Sequence, residues 1–225
     1  MQEMLRRRRL PHWDVPGATY FITSCLEGSI PAQGLLDMTR YRDDLAKRPR
    51  PTDMSEHDWN ILCWKLAFAR SEEWLDARPG ARHLSNAELA RIVADSLYYF
   101  SGTRYALLAY VVMPSHYHWV FTPARNYEAS LPKGVSARQK IMHSVNRFSG
   151  RKCNEYLRLE EAFWQRESYD HCVQDEDELQ RIIDYVELNP VKAGLVRSRE
   201  QWEFSSAYDR LRWGIPFGRL LVRPE

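Results

Sequence analysis

The sequence predicts an α+β fold of the RRM-like or ferredoxin-like kind: an antiparallel sheet with helices packed on one face, an insertion after the first strand and a C-terminal tail. Three observations carry this. The elements run strand, helix, strand, strand, helix, strand and a further helix. The middle strands, RYALLAYVVMP and HYHWVFTP, read as a hairpin closed by Pro114 and Ser115. The segments around residues 84–100 and 137–157 repeat their apolar positions at helical spacing.

Taken in order, the chain opens with a basic arm, residues 1–10, in which Arg6, Arg7, Arg8 and Arg9 stand in a row. No apolar stretch follows them, so the arm is not expected to be a secretory signal. VPGATYFITSCL is a turn at Pro16 and Gly17 and then a strand of aromatic and β-branched residues. Residues 28–80 lose this regularity, with Pro31, Pro49, Pro51 and Pro79 as punctuation and one helix expected near Asp58 to Ala69. They are read as an insertion.

Residues 84–208 form the expected catalytic core and residues 209–225 the tail, all within a single domain. In LSNAELARIVADSLYYF, Leu89, Ile92, Val93, Ser96, Leu97 and Phe100 fall on one helical face, and Ser85 or Asn86 can cap it. From Ala137 to Leu157, Ile141, Val145 and Phe148 form a narrow apolar stripe beside Arg138, Lys140, Arg147, Arg151 and Lys152, with Gly150 expected to kink or divide the helix. ESYDHCV is a short strand. DEDELQRIIDYVELNP is a helix with acids in its first turn, where the helix dipole favours them, and Pro190 is its expected end.

Composition narrows the function less than distribution does. The chain has 225 residues, 44% of them hydrophobic and 28% charged, and a net charge of +2 that names no partner. Residues 129–154, however, carry six Lys or Arg and no acid, a pattern suited to phosphate contact. No apolar run approaches the ~18 residues of a membrane span, so no membrane partner is expected. The four cysteines are scattered without a C-x-x-C pair, which argues against a zinc ribbon or disulfide scaffold and for a cytoplasmic setting.

The stretch VVMPSHYHWVF holds the main chemical signal. Side chains alternate along a strand, so His116 and His118 share one face and Tyr117 takes the other. Two imidazoles about 7 Å apart by strand rise can converge on one divalent ion. By itself H-x-H also describes two ordinary polar residues on an open sheet face, and a metal site needs a third ligand. Tyr185 and Asn189 are four apart, hence neighbours on one face of their helix, bordering the apolar stripe of Leu179, Ile182, Ile183 and Val186. Each has a plain alternative, a boundary aromatic and a helix stop. Together with the histidines they describe a phenol beside a divalent ion, which can attack a phosphodiester and form a covalent ester.

These residues resemble the HUH motif of the single-tyrosine transposases, and the branch they are most similar to is the REP-associated tyrosine transposases. GATYFITSCL, GTRYALLAYVVMP, FWQRESYDHCVQDEDELQRIIDYVELNPVKAGLV and QWEFSSAY resemble family segments too, so the similarity covers residues 11–26 and about 84–208. The resemblance implies His116 and His118 as metal ligands, Asn189 as the third, Tyr185 as the nucleophile and Mg²⁺ or Mn²⁺ as the metal. It further implies a DNA transposase that cuts single-stranded DNA beside hairpins, holding the 5′ end as a phosphotyrosine and freeing a 3′ hydroxyl.

Tyr117 is more polar than the usual middle residue of the motif, yet it should face the core, where its hydroxyl needs a partner. Arg138, Lys140, Arg147, Arg151 and Lys152 are the expected phosphate contacts; Arg6 to Arg9 are either further phosphate contacts or a solvated tail, and Trp164, beside Gln165, either stacks a base or anchors the core. His171 reads as structural, and Asp170 and Glu187 as solvated carboxylates or, being near the site in sequence, as bases or outer-shell partners. Two rival functions remain open: a domesticated, non-catalytic hairpin-binding module on the same sheet, and a nuclease in which water attacks. Monomer and homodimer are both compatible with the sequence.

Overall fold

The computed structural model describes residues 4–7, 11–77, 80–166 and 168–224, with side chains from Asp14 onward except at 57, 76 and 77. Of the arginine arm, Arg6 and Arg7 lie in a strand, β1 (Met4–Arg7), which pairs antiparallel with β2 (Pro11–Asp14). Arg8 and Arg9, and the side chains of Arg6 and Arg7, fall outside the described residues.

Four core strands follow: β3 (Tyr20–Cys25), β4 (Tyr105–Val112), β5 (His116–Pro123) and β6 (Tyr169–Cys172). They pair antiparallel throughout in the order β4-β5-β3-β6, the RRM-like arrangement in which the first strand lies between the third and the fourth. A bulge between Leu107 and Ala109 shifts the β4 register by one residue. The β4–β5 turn is closed by Met113 N–H donating to His116 O at 2.8 Å.

Alternation along these strands separates two faces. Tyr20, Ile22, Leu107, Tyr110, Tyr117, Trp119 and Phe121 point to one side and are buried under α3 (Ala87–Tyr98) and α5 (Ala137–Leu157). The expected helices therefore form where the periodicity put them, with Asn86 and Ser136 accepting from the Glu88 and Gln139 N–H groups as N-caps. Gly150 does not divide α5, which runs unbroken from Ala137 to Leu157. Its missing Cβ gives Trp164 room, since a Cβ there would stand 3.1 Å from the indole Cδ1.

The opposite face is also covered, so helices lie on both sides of the sheet. Phe21, Val111 and Val120 meet Ile183 and Val186 of α6 (Glu176–Lys192), and Trp64 and Phe68 of α2 (Glu56–Ala77) complete this second core. The insertion is thus more ordered than its prolines suggest: α2 is longer than the single helix expected, and α1 (Ala32–Lys47) precedes it. Asp37 of α1 accepts from Arg70 Nε at 2.7 Å and Trp74 Nε1 at 2.9 Å, and Gly34 leaves space for the same indole, whose Cδ2 a Cβ would meet at 2.8 Å.

α6 runs through Pro190 to Lys192 instead of ending there. A proline so near the C-terminus forgoes one N–H bond, and the turn is closed beyond it by Ala193 N–H to Asn189 O and Leu195 N–H to Pro190 O. A short α4 (Arg125–Ser130) follows β5, and α7 (Ser206–Trp213) spans the start of the expected tail, which returns to the sheet where Leu221 N–H donates to Leu107 O. Among the described residues no helix is long and apolar enough to cross a membrane.

Candidate active site

β5 turns His116 and His118 toward α2 and α6, at 1% and 0% exposure. Each imidazole is fixed through Nδ1. The Ser115 hydroxyl lies 3.0 Å from His116 Nδ1, and the Thr23 hydroxyl, across the strand pair, lies 2.7 Å from His118 Nδ1. A hydroxyl at Nδ1 lets that nitrogen keep its proton and leaves the Nε2 lone pair free to accept or to bind metal. The two Nε2 atoms converge to 3.1 Å. Neighbouring ligands of an octahedral ion, each about 2.1 Å from it, stand about 3.0 Å apart, so the separation suits one shared ion. Burial, and then the His118 imidazole, push His116 down to about 3, which keeps this ring neutral.

α6 brings Tyr185 and Asn189 to the same place. Asn189 Nδ2 is 3.3 Å from His118 Nε2, and its Oδ1 is buried without a hydrogen-bond partner. The Tyr185 ring lies 5.6 Å from the His118 ring and edge-on to Phe21 and Phe68, with the Lys192 ammonium 4.6 Å from its centroid. All four residues expected to act together are therefore contiguous.

A fifth was not expected. Glu72, on α2, accepts from the Tyr185 hydroxyl at 2.5 Å, and the same Oε2 lies 3.4 Å from His118 Nε2. One ligand atom each from Glu72, His116 and His118 can be chosen within 4.8 Å of one another, and all three residues are buried. Burial pushes the Glu72 carboxyl up, and His118 beside it, together with the hydrogen bonds from His118 and Tyr185, holds it below the usual carboxylate range. The signal that points to Glu72 is its place in line with Trp64 and Phe68 at i, i+4 and i+8: a carboxylate continuing an aromatic stripe.

The expected DNA contacts divide. Lys140, Arg147 and Arg151 are exposed on α5 and Lys152 is half-buried. This helix backs the face of the sheet opposite the histidines. Arg151 and Lys152 also reach Glu155, at 3.6 and 2.8 Å. Arg138 is instead 2% exposed and ion-paired with Asp14 at 2.9 Å and Asp170 at 2.6 Å, so its charge is spent inside the protein. Trp164, 8% exposed, packs on Tyr117 and donates to Ser149 Oγ at 3.0 Å; it is a core anchor and offers no face to a base.

Asp170 and Glu187 are likewise interior and not solvated, Glu187 accepting from Arg210 Nε and Ser206 Oγ at 2.8 Å each. Tyr117 faces the core and donates to Asn146 Oδ1 at 2.6 Å. His171 is structural, 3.1 Å from Glu178 Oε2 and stacked on Trp64. Gln165 Nε2 lies 3.4 Å from Ser29 Oγ.

No family model matches the chain. It is 24% identical over 107 residues to a REP-associated tyrosine transposase of Escherichia coli K12, covering 48% of this chain and 57% of that protein. It is 38% identical over 47 residues to a putative REP-associated tyrosine transposase of Haemophilus influenzae, covering 21% of this chain and 27% of that one. The match thus spans little more than half the length of the first relative and about a quarter of the second. A solved REP-associated tyrosine transposase, bound to a REP hairpin, shares the fold with a TM-score of 0.51 and 17% identity over 96% of this chain and 91% of that chain. The chain is thus similar in sequence to two REP-associated tyrosine transposases, and in fold to a solved one.

Proposed function

We propose that the chain is a single-tyrosine endonuclease and strand transferase that recognises hairpin DNA and cuts the adjoining single strand, with Tyr185 as nucleophile. The observation that carries this is the convergence of His116 Nε2 and His118 Nε2 at 3.1 Å beside Tyr185 and Asn189. The donor set of two neutral imidazoles with nearby carboxylate and amide oxygens, two of which are buried without partners, fits Mg²⁺ or Mn²⁺. His116, His118 and Asn189 would hold such an ion, which would supply positive charge to the phosphate oxygens.

The chain does the rest. Tyr185 Oη gives up its proton to solvent and forms the new bond to phosphorus, the bond to the 3′ oxygen breaks, and that oxygen takes one proton from solvent to leave as a 3′ hydroxyl, so no net proton is gained or lost. The 5′ phosphate stays on Tyr185 until a 3′ hydroxyl reverses the exchange. Phe21 and Phe68 hold the phenol ring edge-on, and Lys192 sets a cation beside it. Hairpin recognition is supported by the hairpin bound to the solved relative and by the exposed Lys140, Arg147 and Arg151.

The test is incubation with a single-stranded hairpin oligonucleotide and Mn²⁺, run on a denaturing gel. The wild type should release a cleaved strand and form a slow-migrating protein–DNA adduct; Tyr185→Phe should bind the hairpin and do neither. Cleavage by Tyr185→Phe, or an adduct mapping to another tyrosine, overturns the proposal. Binding without any cleavage by the wild type would favour the non-catalytic module, and cleavage without an adduct the water-using nuclease.

A further inference from the structure

The family resemblance assigns the metal site to the core strands and α6, and leaves residues 28–80 without a role. We infer that Glu72 is a ligand of the divalent ion held by His116 and His118, so that the α1–α2 insertion completes the metal site. This rests on the proposal that the histidine pair binds such an ion.

The placement of Glu72 is held from several sides. Trp64, two turns earlier on α2, stacks on His171 at 4.6 Å, and Phe68, one turn earlier, packs edge-on against Phe21 at 5.4 Å. Lys65 pairs with Glu178 of α6 at 2.9 Å. With the helix pinned along this line, the next position on the same face, residue 72, falls over the histidines. An apolar residue would have continued the stripe. The sequence puts a carboxylate there, and a buried carboxylate costs several kcal/mol unless a positive charge meets it.

Among the described residues no lysine or arginine pairs with Glu72; its ionic neighbour is His118, at 3.4 Å. One oxygen, Oε2, accepts from Tyr185, and the other, Oε1, is buried with no hydrogen-bond partner. A divalent ion at the imidazole Nε2 atoms answers both deficits. The charge count also fits: one carboxylate, two neutral imidazoles and an amide leave one net positive charge, matching the single negative charge of a phosphodiester. A carboxylate oxygen further tilts a two-histidine site toward the harder ions, Mg²⁺ and Mn²⁺.

Mn²⁺ titration of the full chain by calorimetry, and by the Mn²⁺ electron spin resonance signal, tests this in the wild type, Glu72→Ala, Glu72→Gln and His118→Ala. Metal-free circular dichroism melts report whether each variant folds. Glu72→Ala should weaken Mn²⁺ binding by about 10-fold or more, and Glu72→Gln, which keeps the shape and a neutral oxygen, by less. Should Glu72→Ala fail to fold, the near-isosteric Glu72→Gln carries the test, and a loss of more than about 3-fold supports the inference. Mn²⁺ affinity unchanged or tightened in the folded Glu72 variants, with His118→Ala abolishing binding, overturns the role of Glu72 and leaves the histidine site standing. A wild type that binds no Mn²⁺, or a His118→Ala variant that binds as well as the wild type, overturns both.

Discussion

Tyr185 and Glu72, 113 positions apart in the chain, meet at 2.5 Å with the phenol donating to the carboxylate. The contact joins α6 of the core sheet to α2 of the insertion, and Oε2 is at the same time the Glu72 oxygen nearest His118. The proposed nucleophile and the histidine pair are therefore tied through one side chain that belongs to neither strand nor helix of the core motif.

Two tyrosines separate packing from chemistry. Tyr185→Phe and Tyr117→Phe each remove one hydroxyl whose acceptor is Glu72 or Asn146, and each should lower stability by about 1 kcal/mol. Only Tyr185→Phe should stop cleavage and adduct formation. Chemical denaturation alongside the gel assay checks this, and equal loss of cleavage in both variants would count against Tyr185 as the attacking group.

Metal should stabilise the fold through the histidines. With Mn²⁺ at about 100 times its Kd, the wild type should gain about 2.7 kcal/mol, seen as a rise of several degrees in melting temperature that a chelator reverses. His116→Ala should show no such rise. An equal rise in that variant would place the binding elsewhere.

The arginines of α5 should divide by burial. Arg138→Ala takes the paired cation away from Asp14 and Asp170 and should cost about 3–5 kcal/mol in denaturant melts. Arg147→Ala with Arg151→Ala should alter stability by less than about 0.5 kcal/mol while reducing the salt dependence of hairpin binding by about one unit of slope per lost contact. An unchanged slope would return both to an ordinary solvated face.

Acid should act through Glu178. Burial raises its carboxyl, but hydrogen bonds from His171, the Gln174 N–H and Lys65, in that order, outweigh it and hold the group down to about 2. A carboxyl depressed in the folded state stabilises at pH values above its unfolded range near 4.5, and this contribution fades as pH falls from about 4.5 to about 2. Glu178→Gln should therefore lose about 1–2 kcal/mol at neutral pH, after allowance for solvent screening, and show a flatter decline across that window. An identical pH slope in the two proteins would refute the assignment.

The strands and the helices α3, α5 and α6 could be seen in the sequence because each repeats its own period, and His116 and His118 because alternation alone puts them on one face. The misses have a shared cause. Arg138, Asp170 and Glu187 carry charge, and their burial depends on partners such as Asp14 and Arg210 that no local pattern reveals. α1 escaped notice because Pro31 and Gly34 look like breakers, whereas Pro31 sits just before the helix and Gly34 makes way for Trp74. Glu72 lies beyond the expected end of its helix, and its meaning comes from a strand more than forty residues later.

β5 writes two messages into one alternation: His116, His118 and Val120 for the site, Tyr117, Trp119 and Phe121 for the core. A substitution alters one letter of either message. A single-residue deletion or insertion within the strand exchanges the two, turning indole and phenyl rings toward the site and imidazoles into the hydrocarbon interior. In lineages that keep the site, length changes should therefore gather in the loops and spare this strand, even where its letters drift.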